Sequence, residues 1–176
     1  GENSARYVIT NSRELEFDYP AIGTELPVRT NYGGTGGIPL SSLLRRAAYA
    51  WEFADINLLI SGEITSDSVI QYRRTIQERI STIAPFLMLD EDPYVVVAEG
   101  QLFWIQDAYT TSDHYPYSQP SNTEPVEREA SVAFNYIRNS VKVTVDSFHG
   151  ALRFYLWDSS DPVVMTYAKI FPDLFL

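Results

Sequence analysis

Two short runs near the C-terminus constrain this chain more than anything else in it. Val141, Val143 and Val145 alternate with Lys142, Thr144 and Asp146, and Leu152, Phe154 and Leu156 alternate with Arg153, Tyr155 and Trp157. A period of two over such lengths specifies half-buried strands. His149-Gly150 sits between the runs and reads as a two-residue hairpin loop. That loop puts Phe148 opposite Ala151, Asp146 opposite Arg153, Val145 opposite Phe154 and Val143 opposite Leu156. Apolar then meets apolar, and the one charged pair matches in sign. A three-residue loop would set Val145 against Arg153, a worse match.

A second hairpin is expected upstream, where Tyr94–Ala98 and Gln101–Tyr109 flank Glu99-Gly100. Near the N-terminus, Tyr7–Thr10 and the alternating Leu15, Phe17 and Tyr19 read as two adjacent strands, turned at Asn11-Ser12-Arg13. Between these strand regions the period changes. Leu40, Leu43, Leu44, Ala47, Trp51, Ala54 and Leu58 recur on one helical face, with Pro39 suited to the first turn. Val69, Tyr72, Ile76, Ile80 and Ile83 predict a second helix over 67–84, capped by Ser66 or Asp67 and ended by Pro85. Asp161-Pro162 is an N-cap and first-turn pair for a short helix reaching about Phe171. Residues 113–128 lack any period and read as a long exposed loop. Helices grouped apart from strands predict an α+β fold: a mainly antiparallel sheet of hairpins, two consecutive helices and a short C-terminal helix. At 176 residues the chain fits a single domain.

Composition removes several functions. The net charge is −10, and Lys142 and Lys169 are the two lysines, so the chain repels phosphate backbones and nucleic-acid binding is not expected. Docking to an anionic membrane surface is disfavoured for the same reason. With no cysteine there is no disulfide, zinc-thiolate site or thiol nucleophile. The apolar runs are strand-sized, far below the ~20 residues of a membrane span. The start at Gly1-Glu2, without initiator Met or signal peptide, suggests a piece cut from a longer protein.

Three stretches could carry chemistry. Gly33, Gly34, Gly36 and Gly37 precede a helix, where backbone N–H groups can cradle an anion, but Ile38-Pro39 stand where a phosphate loop needs Lys-Ser/Thr. A tight loop is the simpler reading. Asp90 and Asp92, with Glu91 between them, could ligate a hard cation, although the further oxygens of a calcium loop are missing. An acidic turn before Pro93 explains them equally. Asp107, Tyr109, Asp113, His114, Tyr115 and Tyr117 crowd into "QDAYTTSDHYPY". Adjacent residues of an extended chain point to opposite faces, so Asp113 and His114 are not expected to pair there. No Gly-x-Ser-x-Gly element supplies a nucleophile. An aromatic-rich recognition surface at a strand end suits these residues better than catalysis.

Four runs share a further property. "YGGTGGIPLSSLLRRAAYAWEFADINLLIS", "ERISTIAPFLMLDEDPYVVVAEGQLFWIQDAYTTSDHYPYS", "NYIRNSVKVTVDSFHG" and "DPVVMTYAKIFPDLF" resemble, in order and spacing, the uncharacterised protein family 0182 of large multi-pass bacterial membrane proteins. The resemblance covers the chain from about Gly1 to Leu176. It implies a segment of the extracytoplasmic region, with more chain beyond "FPDLF", in a parent protein at the cell membrane. It brings no reaction, no cofactor and no catalytic residues. The expected partners are the remainder of the parent protein, an envelope component or a small ligand. The alternatives are a metal-dependent or carboxylate-based hydrolase and a structural spacer in the parent's assembly.

Overall fold

The computed structural model describes residues 6–21, 26–123 and 132–176. Its strands pair antiparallel throughout the named ladders, beside four helices, so the architecture is α+β as expected. The contacts divide the chain into two compact units, 1–74 and 75–176.

The first unit holds β1 (Tyr7–Thr10), β2 (Glu16–Tyr19), β3 (Val28–Thr30), β4 (Ile38–Pro39), α1 (Leu43–Phe53), α2 (Asn57–Ile60) and β5 (Val69–Tyr72). β1 and β2 do not pair with each other as expected. β1 joins β5, with Tyr7 opposite Tyr72, and β2 joins β3. β5 is the central strand of the order β1-β5-β4 and occupies the first part of the stretch expected to be helical. Its β-branched Val69-Ile70 pair fits a sheet, and Ile70 is wholly buried against Leu40 and Leu58. Burying side chains of this size contributes about 1.5–3 kcal/mol each. Pro39 starts no helix. It lies in the edge strand β4, where a missing N–H is tolerated. Ser42 caps α1 instead, accepting from the Arg45 amide at 3.2 Å, and Ala54 ends it in the left-handed conformation.

α1 turns a face adjacent to the expected one inward. Tyr49, Ala50 and Phe53 pack on the core, with Phe53 4.8 Å from the Tyr7 ring. Arg46 donates to the carbonyls of Leu58, Leu59 and Ser61 at 3.0–3.1 Å, which ties the same face to α2. Leu43, Leu44 and Trp51 are left pointing outward.

The second unit holds α3 (Ile76–Ile83), β6 (Met88–Leu89), β7 (Tyr94–Ala98), β8 (Gln101–Ser112), β9 (Ser121–Thr123), β10 (Val132–Phe134), β11 (Tyr136–Asp146), β12 (Leu152–Leu156) and α4 (Pro162–Ile170). Arg73, at φ 52°, breaks β5 from α3, and Thr75 rather than Ser66 or Asp67 is the cap, accepting from the Glu78 amide. Thr75 and Glu78 have the spacing of a capping box. Asp161 caps α4 with Pro162 in its first turn, as expected. Part of the expected loop 113–128 is strand β9, paired with β10, and 124–128 lie outside the described residues.

The main sheet runs β12-β11-β8-β6, with β7 also on β8. The β7–β8 hairpin matches expectation: Ala98 faces Gln101, and Glu99 and Gly100 both have positive φ, as a primed two-residue turn requires. The β11–β12 hairpin forms with its register moved by two residues. Val145 faces Leu152, Val143 faces Phe154 and Val141 faces Leu156. The cause is Asp146. Its carboxylate accepts from the amides of Phe148 and His149 at 2.8 Å each, and its carbonyl from Gly150 at 2.8 Å. The chain wraps around that side chain and draws four residues, 147–150, into the loop. A shift of two preserves side-chain parity, so every apolar residue keeps its face. That face packs Ala108, Val141, Val143, Val145 and Phe154 against Ile80 of α3 and Val164 of α4.

Candidate functional site

Alternation along β8 and β11 sends Asp107, Tyr109 and Lys142 to the face of the sheet opposite the helices. Lys142 and Asp107 are direct cross-strand neighbours and form an ion pair, each side chain 21% exposed. Asn139 Nδ2 donates to the second Asp107 oxygen at 3.4 Å, and the Lys142 ammonium lies 5.8 Å from the Trp157 ring centre. Tyr109 donates to Asp90 at 3.0 Å. Burial first, then that bond and the charges of Asp90 and Asp107, raise the Tyr109 hydroxyl pKa above its ordinary value. The structure therefore brings Asp90, Asp107 and Tyr109 together, and adds Lys142 and Asn139, which sequence spacing did not single out. The alternation around Lys142 carried the signal.

Asp92 is exposed and takes no part in this cluster. Asp90 is engaged by Tyr109 and by the Glu91 amide at 2.7 Å. Among the described residues no three His, Cys, Asp or Glu side chains are placed to hold a metal ion.

Asp113 and His114 do pair, contrary to expectation. β8 ends at Ser112, whose hydroxyl accepts from the His114 amide, so the chain is no longer extended where the two side chains meet. The pair stands 64% and 87% exposed, in solvent and not in a cleft. Tyr115 stacks on Tyr136 at 4.8 Å, and Tyr117 is fully exposed at φ 62°. Asn135 holds this segment, accepting from the Tyr115 amide at 2.9 Å and donating to its carbonyl at 2.7 Å.

The most elaborate polar cluster lies on the helix side. Asp161, wholly buried, accepts from Ser140 and Thr110 hydroxyls, from Tyr136 at 2.7 Å and from the Val163 amide at 2.8 Å. Ser140 reaches it because a bulge between Asn139 and Val141 adds one residue to β11. Burial pushes the Asp161 carboxyl pKa up, but the four donors outweigh it and hold the group below the ordinary aspartate range. Every oxygen is committed, so this network ties helix to sheet and leaves no group free to react. The glycine-rich loop likewise serves packing. Gly37 has φ +97°, and a Cβ there would meet Val69 Cγ1 at 2.5 Å and the Ile70 carbonyl at 2.9 Å.

Fold and clusters together define an α+β segment with hydrogen-bonded polar clusters on both faces of its main sheet and exposed tyrosines at one strand end. A model of the uncharacterised protein family UPF0182 matches residues 1–176, and the chain belongs to that family. It is 48% identical over 176 residues to a UPF0182 protein of Sulfurovum sp. (strain NBC37-1), covering 99% of this chain and 18% of the relative. To a UPF0182 protein of Methanospirillum hungatei JF-1 it is 51% identical over 175 residues, covering 99% and 19%. To that of Trichodesmium erythraeum (strain IMS101) it is 47% identical over 185 residues, covering 99% and 20%. The chain thus spans about a fifth of the length of the curated relatives it matches. No solved structure matches it.

Proposed function

We propose that this chain is a non-catalytic interaction module on the extracytoplasmic side of a membrane-embedded parent, docked through apolar surface onto other parts of that same polypeptide. The observation that carries the reading is the outward face of α1. Leu44 and Trp51 are 83% and 88% exposed, with Leu43 beside them. Exposed Trp and Leu on one helix face mark a contact surface more often than a solvated one. The parent supplies the partner, since most of a relative's length lies outside the matched segment. The family resemblance is what supports the membrane placement. No helix among the described residues is long and apolar enough to cross a membrane, so the spans would lie elsewhere in the polypeptide.

Thiol accessibility tests both parts, since the segment itself is free of cysteine. In cysteine-free full-length protein, Leu44→Cys should react with maleimide at least about tenfold more slowly than Tyr117→Cys, the factor that 1.4 kcal/mol of docking supplies. Equal rates would refute the docking. In intact cells an impermeant maleimide should label Tyr117→Cys; labelling only after permeabilisation would refute the placement.

A further inference from the structure

β7 is an edge strand whose open side is legible residue by residue. Among the described residues it pairs with β8 alone. Leu102 of β8 accepts from the Ser147 amide at 3.0 Å, so its backbone groups point away from β7. Its cross-strand partner Val97 must then turn both N–H and C=O to the open side, and Val95, two residues back, does the same. The strand reads Tyr-Val-Val-Val-Ala, without charge or proline, and its ladder is free of bulges. Val97 and Leu102 are 70% and 51% exposed on one face, and Tyr94 is half exposed on the other. Natural sheets protect edges with charge, proline, bulges or a covering element. β7 carries none of the first three. Apolar residues on both faces are the pattern of a strand enclosed on both sides.

The flanks select the occupant. Glu91 and Asp92 precede β7, and Glu99 follows it. Antiparallel pairing of two copies about Val96 would bring Asp92 of each beside Glu99 of the other, and each chain already carries −10. An apolar strand with basic residues at both ends meets attraction at the same two places. A tethered segment also has a millimolar effective concentration of about the kind short linkers give. We propose that β7 is completed by an extended apolar segment of the full-length polypeptide, outside residues 1–176, with Lys or Arg at both of its ends. This rests on the interaction-module reading and names a second contact for it.

The test is residue-resolved hydrogen exchange and photo-crosslinking on the full-length protein. All five amides from Tyr94 to Ala98 should be protected, with Val95 and Val97 slowed by more than about 100-fold. A photo-reactive residue in place of Val97 should attach to one segment of the same polypeptide with basic residues at both ends. Mixing isotope-labelled with unlabelled copies separates links within one chain from links between copies. Alternating protection, with Val95 and Val97 free while Val96 is slow, would overturn the proposal. So would crosslinks to a second copy, to a different protein or to lipid. If Val95 and Val97 exchange freely while Leu44→Cys stays shielded, the edge proposal fails and the module reading stands.

Discussion

Removing the Asp161 carboxylate tests whether the buried network holds helix to sheet. In Asp161→Ala, α4 loses its cap, worth about 1 kcal/mol. The hydroxyls of Ser140, Thr110 and Tyr136 lose an ionised acceptor. Hydrogen bonds to a charged group contribute about 1.5–3 kcal/mol each, but they do not add in full. Thr110 can still reach the Arg138 carbonyl at 3.5 Å, and Tyr136 keeps partial access to water. Ser140, wholly buried, has the least recourse. The sum is about 3–5 kcal/mol, a large share of the roughly 5–15 kcal/mol that a domain possesses. Asp161→Asn keeps the shape and one acceptor and should lose about 1–2 kcal/mol. The assay is urea denaturation of both variants at several pH values. Because the folded carboxyl lies below its unfolded value, its contribution is complete above about pH 4 and is lost as pH falls through the folded pKa. Asparagine has no such proton, so the gap between wild type and Asp161→Asn should narrow in acid. A loss below about 1 kcal/mol for Asp161→Ala, or a gap independent of pH, would refute the reasoning.

Three further substitutions probe the two hairpin turns and the first unit. Gly150 has φ +69°, and a Cβ there would lie 3.1 Å from Arg79 Nη1, so Gly150→Ala should destabilise by about 1–2 kcal/mol. Gly100→Ala, at φ +76° in open space, isolates the backbone part, and a urea midpoint shift equal for both would show that Arg79 contributes nothing. The Tyr7 hydroxyl is pushed up to about 12, by burial first and then by its bond to Asp55. A raised folded pKa contributes stability that is complete below the unfolded value of about 10 and lost as pH rises toward the folded one. Alkaline denaturation should therefore be less steep in Tyr7→Phe, and identical curves would show that Tyr7 titrates without linkage to folding.

What was legible in the sequence follows the range of the cause. Glu99-Gly100 and Asp161-Pro162 act over two residues, and both turn and cap stand where spacing put them. In the β11–β12 hairpin, parity came from alternation, but register came from the Asp146 side chain, which no apolar pattern encodes. β5 was hidden because Val69, Tyr72 and Ile76 happen to share helical spacing, while its real partners lie in Tyr7–Thr10 and Ile38–Pro39. The Asp161 network depends on a bulge and on three distant donors. Asp107 and Tyr109 were visible as polar residues on one strand face, but their partners are Lys142 of β11 and Asp90 in the turn after β6.

The α1 stripe departs from expectation for a different reason. Helical periodicity identifies which residues are apolar together; it does not say what covers them. In this chain the inward face was decided by rings and by Arg46, whose three carbonyl bonds cannot be made from the other side of the helix. That choice leaves Leu43, Leu44 and Trp51 in water, although their spacing is that of a buried face. The same mismatch recurs at β7, whose apolar run suits enclosure on both sides and which, among the described residues, lies at an open edge. Two elements in separate units thus carry the patterning of interior structure without an interior. Under the proposed reading the patterning belongs to the longer polypeptide, and each unit displays the half of a contact whose other half lies outside residues 1–176.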